Sequence, residues 1–338
     1  MKDVHIAVVG ATGMVGKEII ETLESRQFKV ASLRLLASKK SAGQVMLFRG
    51  ESTKVEELTP DSFQGIDIAL FSAGGNISEK FAPIAVKAGA VVIDNTSHFR
   101  LDDDVPLVVP EVNKHALKKH KGIIANPNCS TAQLVMALKP IHDKATIKRL
   151  VISTYQSVSG AGKEAVLELE SQSRYLMKGE TAEPEIFSKP MPFNVIPQID
   201  VFQDNGYTKE EMKLMLETNK ILESDIAITA TAVRVPVFIS HSEAVNIQTK
   251  TPISVDEVKS CLDHFPGVTV QDNPADLEYP TPREIAGKDD VYVGRIRKDI
   301  SQENSIDCWI VADNLRKGAA LNAVQIAEEL VNMPVHAN

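Results

Sequence analysis

The sequence predicts an α/β protein in which a Rossmann-type doubly wound parallel sheet is followed by an α+β domain. Three observations predict this class. Short apolar segments alternate with helix-like segments over the first part of the chain, as in parallel sheets covered by helices. A glycine-rich turn follows the first apolar segment. Beyond residue 129, longer segments with β-branched residues replace the alternation, which is typical of a mixed or antiparallel sheet.

The size, charge and cysteine content of the chain exclude several classes of protein. A length of 338 residues predicts about two domains, and a net charge of −8 argues against a nucleic-acid-binding surface. No apolar segment reaches the roughly 18 residues that a membrane helix needs. We expect no signal peptide, because the first residues lead directly into an apolar strand. Three cysteines without zinc-site spacing predict no metal site, no disulfide framework and a reducing, cytoplasmic location.

The predicted strands of the first domain are short apolar segments that end in turn-forming residues. They cover residues 5–9, 33–37, 66–72, 91–94 and 122–125. Helix-like segments follow the glycine turn up to about residue 25 and cover 78–88 and 113–119. This alternation predicts a dinucleotide-binding domain over residues 1–128.

The predicted second domain covers residues 129–313. Its strands are expected at 149–158, 226–239, 243–249, 292–296 and 306–312. Helical segments at 162–176, 210–222 and 254–265 interrupt them, and residues 315–331 again have helical spacing. Residues 178–200 contain four prolines, which predicts a long surface excursion.

The turn after the first strand has the pattern G-x-x-G-x-x-G over residues 10–16. Glycines at a strand-to-helix turn let backbone N–H groups approach a pyrophosphate, and the helix N-terminus adds favourable charge. A tight turn without a ligand is the alternative, because the spacing departs from the strict G-x-G-x-x-G. The candidate cofactor contacts are Gly10, Thr12, Gly13, Met14, Val15 and Gly16.

The end of the second predicted strand favours NADP over NAD. An NAD site places Asp or Glu there for the ribose hydroxyls, whereas this chain has Ser38, Lys39, Lys40 and Ser41 and no acidic residue. Cationic and hydroxyl side chains suit a 2′-phosphate. A solvated basic turn is the alternative. Ser72 ends a later strand on the same edge of the sheet and is a further candidate contact.

Cys129 is the candidate nucleophile. It follows Asn126-Pro127-Asn128 and precedes apolar residues at helical spacing, so the thiol is expected at a helix N-terminus. The helix dipole and free N–H groups there favour a thiolate, which indicates covalent catalysis through sulfur. A buried structural cysteine is the alternative. Cys261 and Cys308 lie in apolar segments and are expected to be structural.

A nucleophilic thiol needs a positioned base, and His241 is the candidate among eight histidines. Arg234 and His241 are seven residues apart, so a regular strand would direct their side chains to opposite faces. Pro236 and a bend before His241 would bring both into one cleft. Gln156 and the run Ser159-Gly160-Ala161-Gly162 follow a predicted strand and mark either a backbone approach to a ligand or a turn.

The chain resembles the aspartate-β-semialdehyde dehydrogenase family over essentially its whole length. The motifs that carry the resemblance are G-A-T-G-M-V-G at 10–16, S-K-K-S-A-G at 38–43, N-T-S-H-F-R at 95–100, N-P-N-C-S-T at 126–131, Y-Q-S-V-S-G-A-G-K at 155–163, E-E-M-K-L-M-L-E-T-N-K-I-L at 210–222, V-R-V-P-V at 233–237, H-S-E at 241–243 and D-N-L-R-K-G-A-A-L-N-A-V-Q at 313–325. Each motif is modest alone, and together they are specific.

The resemblance implies roles for the candidate catalytic residues and for the substrate contacts. Cys129 matches the nucleophile, His241 the acid/base and Gln156 the residue that orients the acyl intermediate. The substrate contacts implied are Arg234 for the carboxylate, Glu210 for the amino group, and Arg100 and Lys213 for the phosphate, with Asn128 beside them. Spacing alone would not select Arg100, Lys213 or Arg234, because a lone cation is usually a solvated surface charge.

The resemblance also implies the cofactor contacts and the assembly. Ser38, Lys40 and Ser41 match the 2′-phosphate site of NADP, although the family often has arginine where Lys40 stands. Asn314, with Ser159 and Gly160, matches positions near the nicotinamide. The family fold returns the C-terminal helix, residues 314–338, to the cofactor domain. The central domain of the family forms a homodimer, and some members are tetramers.

The implied activity is the NADP-dependent, reversible reductive dephosphorylation of L-aspartyl-4-phosphate to L-aspartate-4-semialdehyde through a cysteine thioester. It serves the biosynthesis of lysine, threonine, methionine and isoleucine. Two alternatives remain at this point. One is a related acyl-phosphate reductase, such as N-acetylglutamyl-phosphate reductase or glyceraldehyde-3-phosphate dehydrogenase. The other is a non-catalytic NADP-binding sensor or scaffold, which predicts that a catalytic residue is missing.

Overall fold

A computed structural model describes residues 4–333 of the chain, which form two compact units. The first unit contains the chain up to Asn128 and from Ala319 onward, and the second unit contains Cys129–Gly318. The return to the first unit therefore lies slightly later than residue 314, the limit that the sequence suggested. The α/β class is confirmed.

The first unit is built on a seven-stranded sheet in the order β3-β4-β2-β1-β5-β6-β7. Its strands are β1 Val4–Val9, β2 Val30–Ala37, β3 Val45–Phe48, β4 Glu51–Glu57, β5 Ile68–Phe71, β6 Val91–Asp94 and β7 Ile123–Ala125. All neighbouring strands are parallel except β3 and β4. Since β1 pairs with both β2 and β5, the carboxyl ends of these three strands lie side by side.

The helices of the first unit pack against this sheet or, in the case of α3, against the C-terminal helix. They are α1 Met14–Ser25, α2 Gly75–Lys87, α3 Pro110–Asn113 and the C-terminal helix Leu321–Asn332, which is α9 in chain order. Asn322 near the start of α9 donates hydrogen bonds to the Val108 carbonyl at 2.9 Å and to Asn126 Oδ1 at 2.6 Å. These buried contacts hold the C-terminal helix on the first unit, as the resemblance implied.

The β3–β4 hairpin is an element that the sequence analysis missed. Its strands are short and largely exposed, and β4 reads Glu-Ser-Thr-Lys-Val-Glu-Glu, so no apolar alternation identifies it. Arg49 and Gly50 form the two-residue turn, with φ of 54° and 78°. A left-handed backbone at both turn positions matches the twist of the flanking strands.

The second unit is built on a six-stranded mixed sheet in the order β11-β12-β13-β10-β8-β9. Its strands are β8 Ile147–Gln156, β9 Ala227–Arg234, β10 His241–Thr249, β11 Val268–Val270, β12 Val291–Lys298 and β13 Ser305–Ala312. Pairs β8–β9 and β11–β12 are parallel and the others are antiparallel. The sequence predicted one strand over 226–239, but β9 ends at Arg234, two residues before Pro236, which cannot donate to a ladder.

The helices of the second unit are α4 Cys129–Ala145, α5 Lys163–Met177, α6 Lys209–Leu222, α7 Val255–Asp263 and the short α8 Pro282–Ile285. Helices α4, α6 and α7 contact one another or the sheet and form a single layer. The excursion predicted over residues 178–200 extends to residue 208, without a helix or regular strand. No helix within residues 4–333 is long and apolar enough to cross a membrane.

Candidate active site

The glycine turn of the first unit is closely packed between β1 and α1. Gly10 has a φ of 86°, and a Cβ there would lie 2.6 Å from the carbonyl oxygen of Ser72. A Cβ at Gly16 would lie 2.2 Å from the carbonyl oxygen of Gly10. Any side chain at either position would displace backbone, so the turn requires glycine at both.

The first turn of α1 presents backbone donors that the helix itself does not use. The first i to i−4 bond runs from Lys17 N–H to the Gly13 carbonyl at 3.0 Å. The N–H groups of Met14, Val15 and Gly16 therefore have no acceptor inside the helix, and the N-cap Gly13 supplies no side-chain acceptor. Such donors at a helix N-terminus fit the pyrophosphate of a dinucleotide.

The other predicted cofactor residues of this unit lie at the same edge of the sheet. Ser38, Lys40 and Ser41 form the turn after β2, where Ser41 N–H donates to the Ser38 carbonyl at 2.9 Å. Ser72 follows β5, and its N–H donates to the Val9 carbonyl at 2.8 Å. The turns after β2, β1 and β5 are therefore adjacent, which is where doubly wound sheets bind dinucleotides.

Arg100 is the buried cation of the first unit, although sequence spacing alone did not select it. Its Nε donates to the Asn126 carbonyl at 2.9 Å, and its Nη2 donates to the Asn95 carbonyl at 2.7 Å. The guanidinium is thus fixed against the segment that leads to Asn128, which is itself buried. These two carbonyls orient the guanidinium.

Cys129 is the first residue of α4, as the sequence predicted, and it is partly exposed. The first-turn N–H groups of α4 favour a negative charge on the sulfur and on an oxygen bonded to an attached acyl carbon. Gly318 lies against it, since a Cβ at residue 318 would come within 2.8 Å of the Cys129 Cβ. Glycine at 318 therefore keeps the space beside the nucleophile open.

His241 begins β10 and is fully buried. The backbone N–H of Ser157 donates to His241 Nδ1 at 3.0 Å, so the proton of the neutral ring is on Nε2. Nε2 is buried without a hydrogen-bond partner among residues 4–333. Burial and then the charge of Arg234 lower the pKa of His241 well below 6.5, so the ring is neutral at pH 7.

The side chains of Arg234 and His241 lie close together. This agrees with the expectation that Pro236 and a bend before His241 bring both into one cleft. A Cβ at Gly160 would lie 3.0 Å from Arg234 Nη1 and 3.1 Å from His241 Nε2. Arg234 Nη1 donates to the Ser157 carbonyl at 2.7 Å. Burial lowers the pKa of Arg234, while the charges of Glu210 and Cys129 act in the opposite direction. The thiol, the imidazole and the guanidinium therefore belong to one site.

Gln133 connects the helix of the nucleophile to the strand of the histidine. It lies one turn after Cys129 on α4, and its Nε2 donates to the His241 carbonyl at 3.4 Å. No local pattern identifies Gln133 in the sequence, because its role depends on a contact with a residue more than a hundred positions away. It fixes His241 relative to the start of α4.

Gln156 and the charged residues of α6 form a second group in the same unit. Gln156 Nε2 donates to Glu210 Oε1 at 3.1 Å, and Lys213 Nζ donates to Glu210 Oε2 at 3.1 Å. Lys213 also donates to Asp200 Oδ2 at 2.9 Å. Thr208 caps α6 in a capping box with Glu211, which fixes the helix that carries Glu210 and Lys213.

Asn314 and Ser159 join a hydroxyl network behind the imidazole. Asn314 Oδ1 accepts from the Ser240 N–H at 2.9 Å and from the hydroxyls of Ser157 and Ser159 at 3.1 Å each. The Ser157 hydroxyl is also 3.1 Å from His241 Nδ1. Asn314 therefore fixes the loop that precedes His241, whether or not it contacts a cofactor.

Two buried titratable groups, Glu243 and Cys308, lie near the site without a proposed catalytic role. Glu243 lies two residues after His241 on β10 and is fully buried, and burial raises its pKa well above 4.5. Burial also raises the pKa of the Cys308 thiol to about 12, so this cysteine is inert, as expected. Among the residues that the structure describes, no cluster of His, Cys, Asp or Glu is arranged to hold a metal ion.

Two family models match the chain. The NAD binding domain of semialdehyde dehydrogenase matches residues 5–120, and the dimerisation domain of semialdehyde dehydrogenase matches residues 138–317. Together they cover most of both units.

Individual proteins of this family are similar over nearly full length. Aspartate-semialdehyde dehydrogenase of Bacillus subtilis (strain 168) is 52% identical, with 97% of this chain and 98% of the relative covered. The crystal structure of aspartate semialdehyde dehydrogenase II from Vibrio cholerae, complexed with ASA, has a TM-score of 0.96 at 50% identity and covers 98% of this chain and 99% of that chain. The enzyme from Candida albicans with NADP has a TM-score of 0.77 at 27% identity, covering 98% and 99% of the two chains.

Proposed function

Because the chain belongs to the aspartate-semialdehyde dehydrogenase family, we propose that Cys129 carries the acyl group in the family's reaction. The chain is an oxidoreductase that uses NADP to interconvert L-aspartyl-4-phosphate and L-aspartate-4-semialdehyde. The observation that carries the assignment to Cys129 is its position at the start of α4, in the site of Arg234 and His241. Relatives that are 50–52% identical over nearly full length are aspartate-semialdehyde dehydrogenases, which argues against the rival acyl-phosphate reductases.

In the oxidative direction, the Cys129 thiolate attacks the aldehyde carbon and forms a thiohemiacetal. NADP, when bound, supplies the acceptor for the hydride that leaves this carbon. The product on the enzyme is a thioester at Cys129, and attack by phosphate on its carbonyl carbon expels the thiolate. The same steps in reverse reduce aspartyl phosphate. Sulfur suits both directions, because it is a good nucleophile and a good leaving group.

We propose that His241 acts on the reacting centre through Nε2. The Ser157 N–H occupies Nδ1, so the neutral ring holds its proton at the nitrogen that faces Gly160 and Arg234. A buried donor that has no partner in the described part of the chain is set to hydrogen-bond a developing oxyanion, an interaction typically worth about 3 kcal/mol. Transfer of protons by His241, the acid/base role that the resemblance implied, stays a prediction.

The remaining polar residues are proposed to orient the substrate. Arg234 is held by the Ser157 carbonyl and keeps donors for a bidentate contact with the substrate carboxylate. Glu210 offers an anion for the amino group, and Gln156 lies beside it to orient the acyl intermediate. Lys213 in the second unit and Arg100 in the first, with Asn128, are the proposed phosphate-binding residues. Fixing both ends of the substrate limits its motion relative to the sulfur.

The cofactor residues are proposed from the packing of each unit. The glycine turn and the open N–H groups of Met14, Val15 and Gly16 would hold the pyrophosphate. Ser38, Lys40 and Ser41 would hold the 2′-phosphate, since their turn has no acidic residue. Thr12 lies within the glycine turn, and Ser72 lies beside it. Ser159, Gly160 and Asn314 lie beside His241 and are proposed near the nicotinamide.

We propose a homodimer formed through the second unit. The matching family model is a dimerisation domain, and one face of the six-stranded sheet carries partly exposed residues, including Val151, Ser153, Tyr155, Asn246 and Trp309. Tyr155 and Trp309 are packed 5.4 Å apart, centroid to centroid. Exposed aromatic residues on a rigid sheet are typical of protein interfaces.

A phosphate-dependent assay tests the substrate assignment. With aspartate semialdehyde, NADP and phosphate, the protein should form NADPH, and omission of phosphate should stop steady turnover, because the thioester then has no acceptor other than water. N-acetylglutamate semialdehyde in the same assay should be at least about a hundredfold poorer in kcat/KM, since its amide lacks the charged amino group that Glu210 would bind. Equal turnover of both aldehydes would contradict the assignment.

A further inference from the structure

The ammonium group of Lys213 lies between two carboxylates. Its Nζ is 2.9 Å from Asp200 Oδ2 and 3.1 Å from Glu210 Oε2, and its side chain is only 17% exposed. The ammonium group therefore has two anionic partners inside the unit that contains the nucleophile.

Lys213 is already paired with carboxylates, so an anion must compete with them for its ammonium group. Burial lowers the pKa of Lys213, but the charges of Glu210 and Asp200 outweigh it and hold the pKa above its ordinary value. Burial raises the pKa of Asp200, but the hydrogen bond from Lys213 outweighs it and leaves this pKa lowered. Lys213 and Asp200 are thus ionised at pH 7 and form an ion pair, and Lys213 also donates to Glu210. A phosphate dianion gains little from such a group until one carboxylate leaves.

The two carboxylates differ in how firmly they are fixed. Glu210 is buried, lies three residues before Lys213 on α6, and also accepts the hydrogen bond from Gln156. Asp200 belongs to the irregular excursion, and its side chain is 32% exposed. Its Oδ1 accepts a hydrogen bond from the Val201 N–H, the next residue along the chain, at 2.9 Å. Asp200 is therefore the carboxylate that a ligand can displace.

We propose that Asp200 sets the affinity for phosphate, because it competes with phosphate for Lys213 and weakens its binding. The proposal rests on the phosphate-binding role of Lys213 given above. Phosphate binds Lys213 by displacing the Asp200 carboxylate. In the reductive direction, the return of Asp200 to Lys213 promotes the departure of phosphate from the site.

The test is the KM for inorganic phosphate in the oxidation of aspartate semialdehyde by the full-length enzyme. Asp200→Asn keeps the size of the side chain and removes its charge. We expect the KM for phosphate to fall about two- to fivefold, the range for a partly exposed ion pair, with the KM for the semialdehyde unchanged. Asp204→Asn is the matched control, because Asp204 is exposed on the same excursion and is not a partner of Lys213.

Two further variants separate this proposal from the role of Lys213 itself. Lys213→Gln should raise the KM for phosphate, and Asp200→Asn should have no further effect in the Lys213→Gln background. If Lys213→Gln raises the KM while Asp200→Asn leaves it unchanged or raises it, competition by Asp200 is wrong and the role of Lys213 stands. If Lys213→Gln leaves the KM for phosphate unchanged, the proposed role of Lys213 fails, and the proposal for Asp200 fails with it.

Discussion

Burial determines the protonation state of the Glu243 carboxyl group. The residue lies on the same face of β10 as His241, and its carboxyl group is enclosed together with Gln133 and Cys308. An ionised carboxylate at this depth would lack water, so the folded protein keeps the group protonated. Because Glu243 is neutral, Arg234 is the charged group that lowers the pKa of His241.

The replacement of Glu243 by glutamine should stabilise the protein, and more at pH 8 than at pH 5. The pKa of Glu243 is about 4.5 in the unfolded chain and well above that in the folded protein. Between these two values the unfolded chain has lost the proton and the folded protein retains it, so the free energy of unfolding falls as pH rises. Glutamine has no proton to lose and removes this dependence. Thermal unfolding of both proteins from pH 5 to pH 8 measures the effect.

The exposed Glu180 provides the control for this measurement. Glu180→Gln should shift the melting temperature little, with no trend across the same pH range. A difference between Glu243→Gln and the wild type that stays constant from pH 5 to pH 8 would show that Glu243 is ionised in the folded protein.

Individual site residues could be predicted from the sequence where their chemistry depends on near neighbours. Cys129 was such a case, because a proline and a small polar run before apolar helical spacing place it at a helix start. The proximity of Arg234 and His241 depends on how the chain bends after Pro236. Their spacing indicates that a bend is needed but does not predict its geometry. Asp200 and Gln133 act through partners that are far along the chain, so no local pattern identified them.

Among the elements, the six-stranded sheet carries the face that we propose as the homodimer interface. Helices α4, α6 and α7 form the layer on one of its faces, and the residues on the opposite face of β8, β10 and β13 remain partly exposed. A monomeric protein rarely leaves a large face with aromatic residues open to water. The sheet therefore supports the proposed homodimer without help from the cofactor domain.

A charge on this face should dissociate the dimer. Tyr155 is 37% exposed and packs against Trp309, so Tyr155→Arg would place two like charges at a two-fold interface. We expect the wild type to sediment as a dimer and the variant to sediment as a monomer at micromolar concentration. Tyr175→Arg on α5, where Tyr175 is 48% exposed, should leave the dimer intact. A monomeric wild type, or a dimer that Tyr155→Arg does not weaken, would contradict the proposed interface.

Strands and helices could be predicted from the sequence where at least one face is apolar, but not where both faces are polar. The buried strands β1, β5 and β6 follow from continuous apolar segments, and α6 and α7 follow from helical spacing with capping boxes. The β3–β4 hairpin and the three-residue strand β11 have no such pattern, because packing against a neighbouring strand holds them in place.

On the scale of the whole molecule, each unit holds a distinct part of the chemistry. The first unit provides the glycine turn, the basic turn after β2 and Arg100, and the second provides Cys129, His241, Arg234 and the residues of α6. The order of these parts along the chain, and the class of fold, were readable from the sequence. The distances among the side chains within the second unit were not, since they depend on strand pairing between residues nearly a hundred positions apart.

The central claim is that the acyl group is carried on the sulfur of Cys129, and a phosphate-free burst experiment tests it most directly. Enzyme mixed with aspartate semialdehyde and NADP, without phosphate, should form about one NADPH for each Cys129 and then slow sharply. Mass spectrometry of the quenched protein should place an aspartyl thioester on the peptide that contains Cys129. Cys129→Ala should bind NADP and give neither the burst nor the adduct. A burst in Cys129→Ala, or an acyl group on another residue of the wild type, would contradict the account.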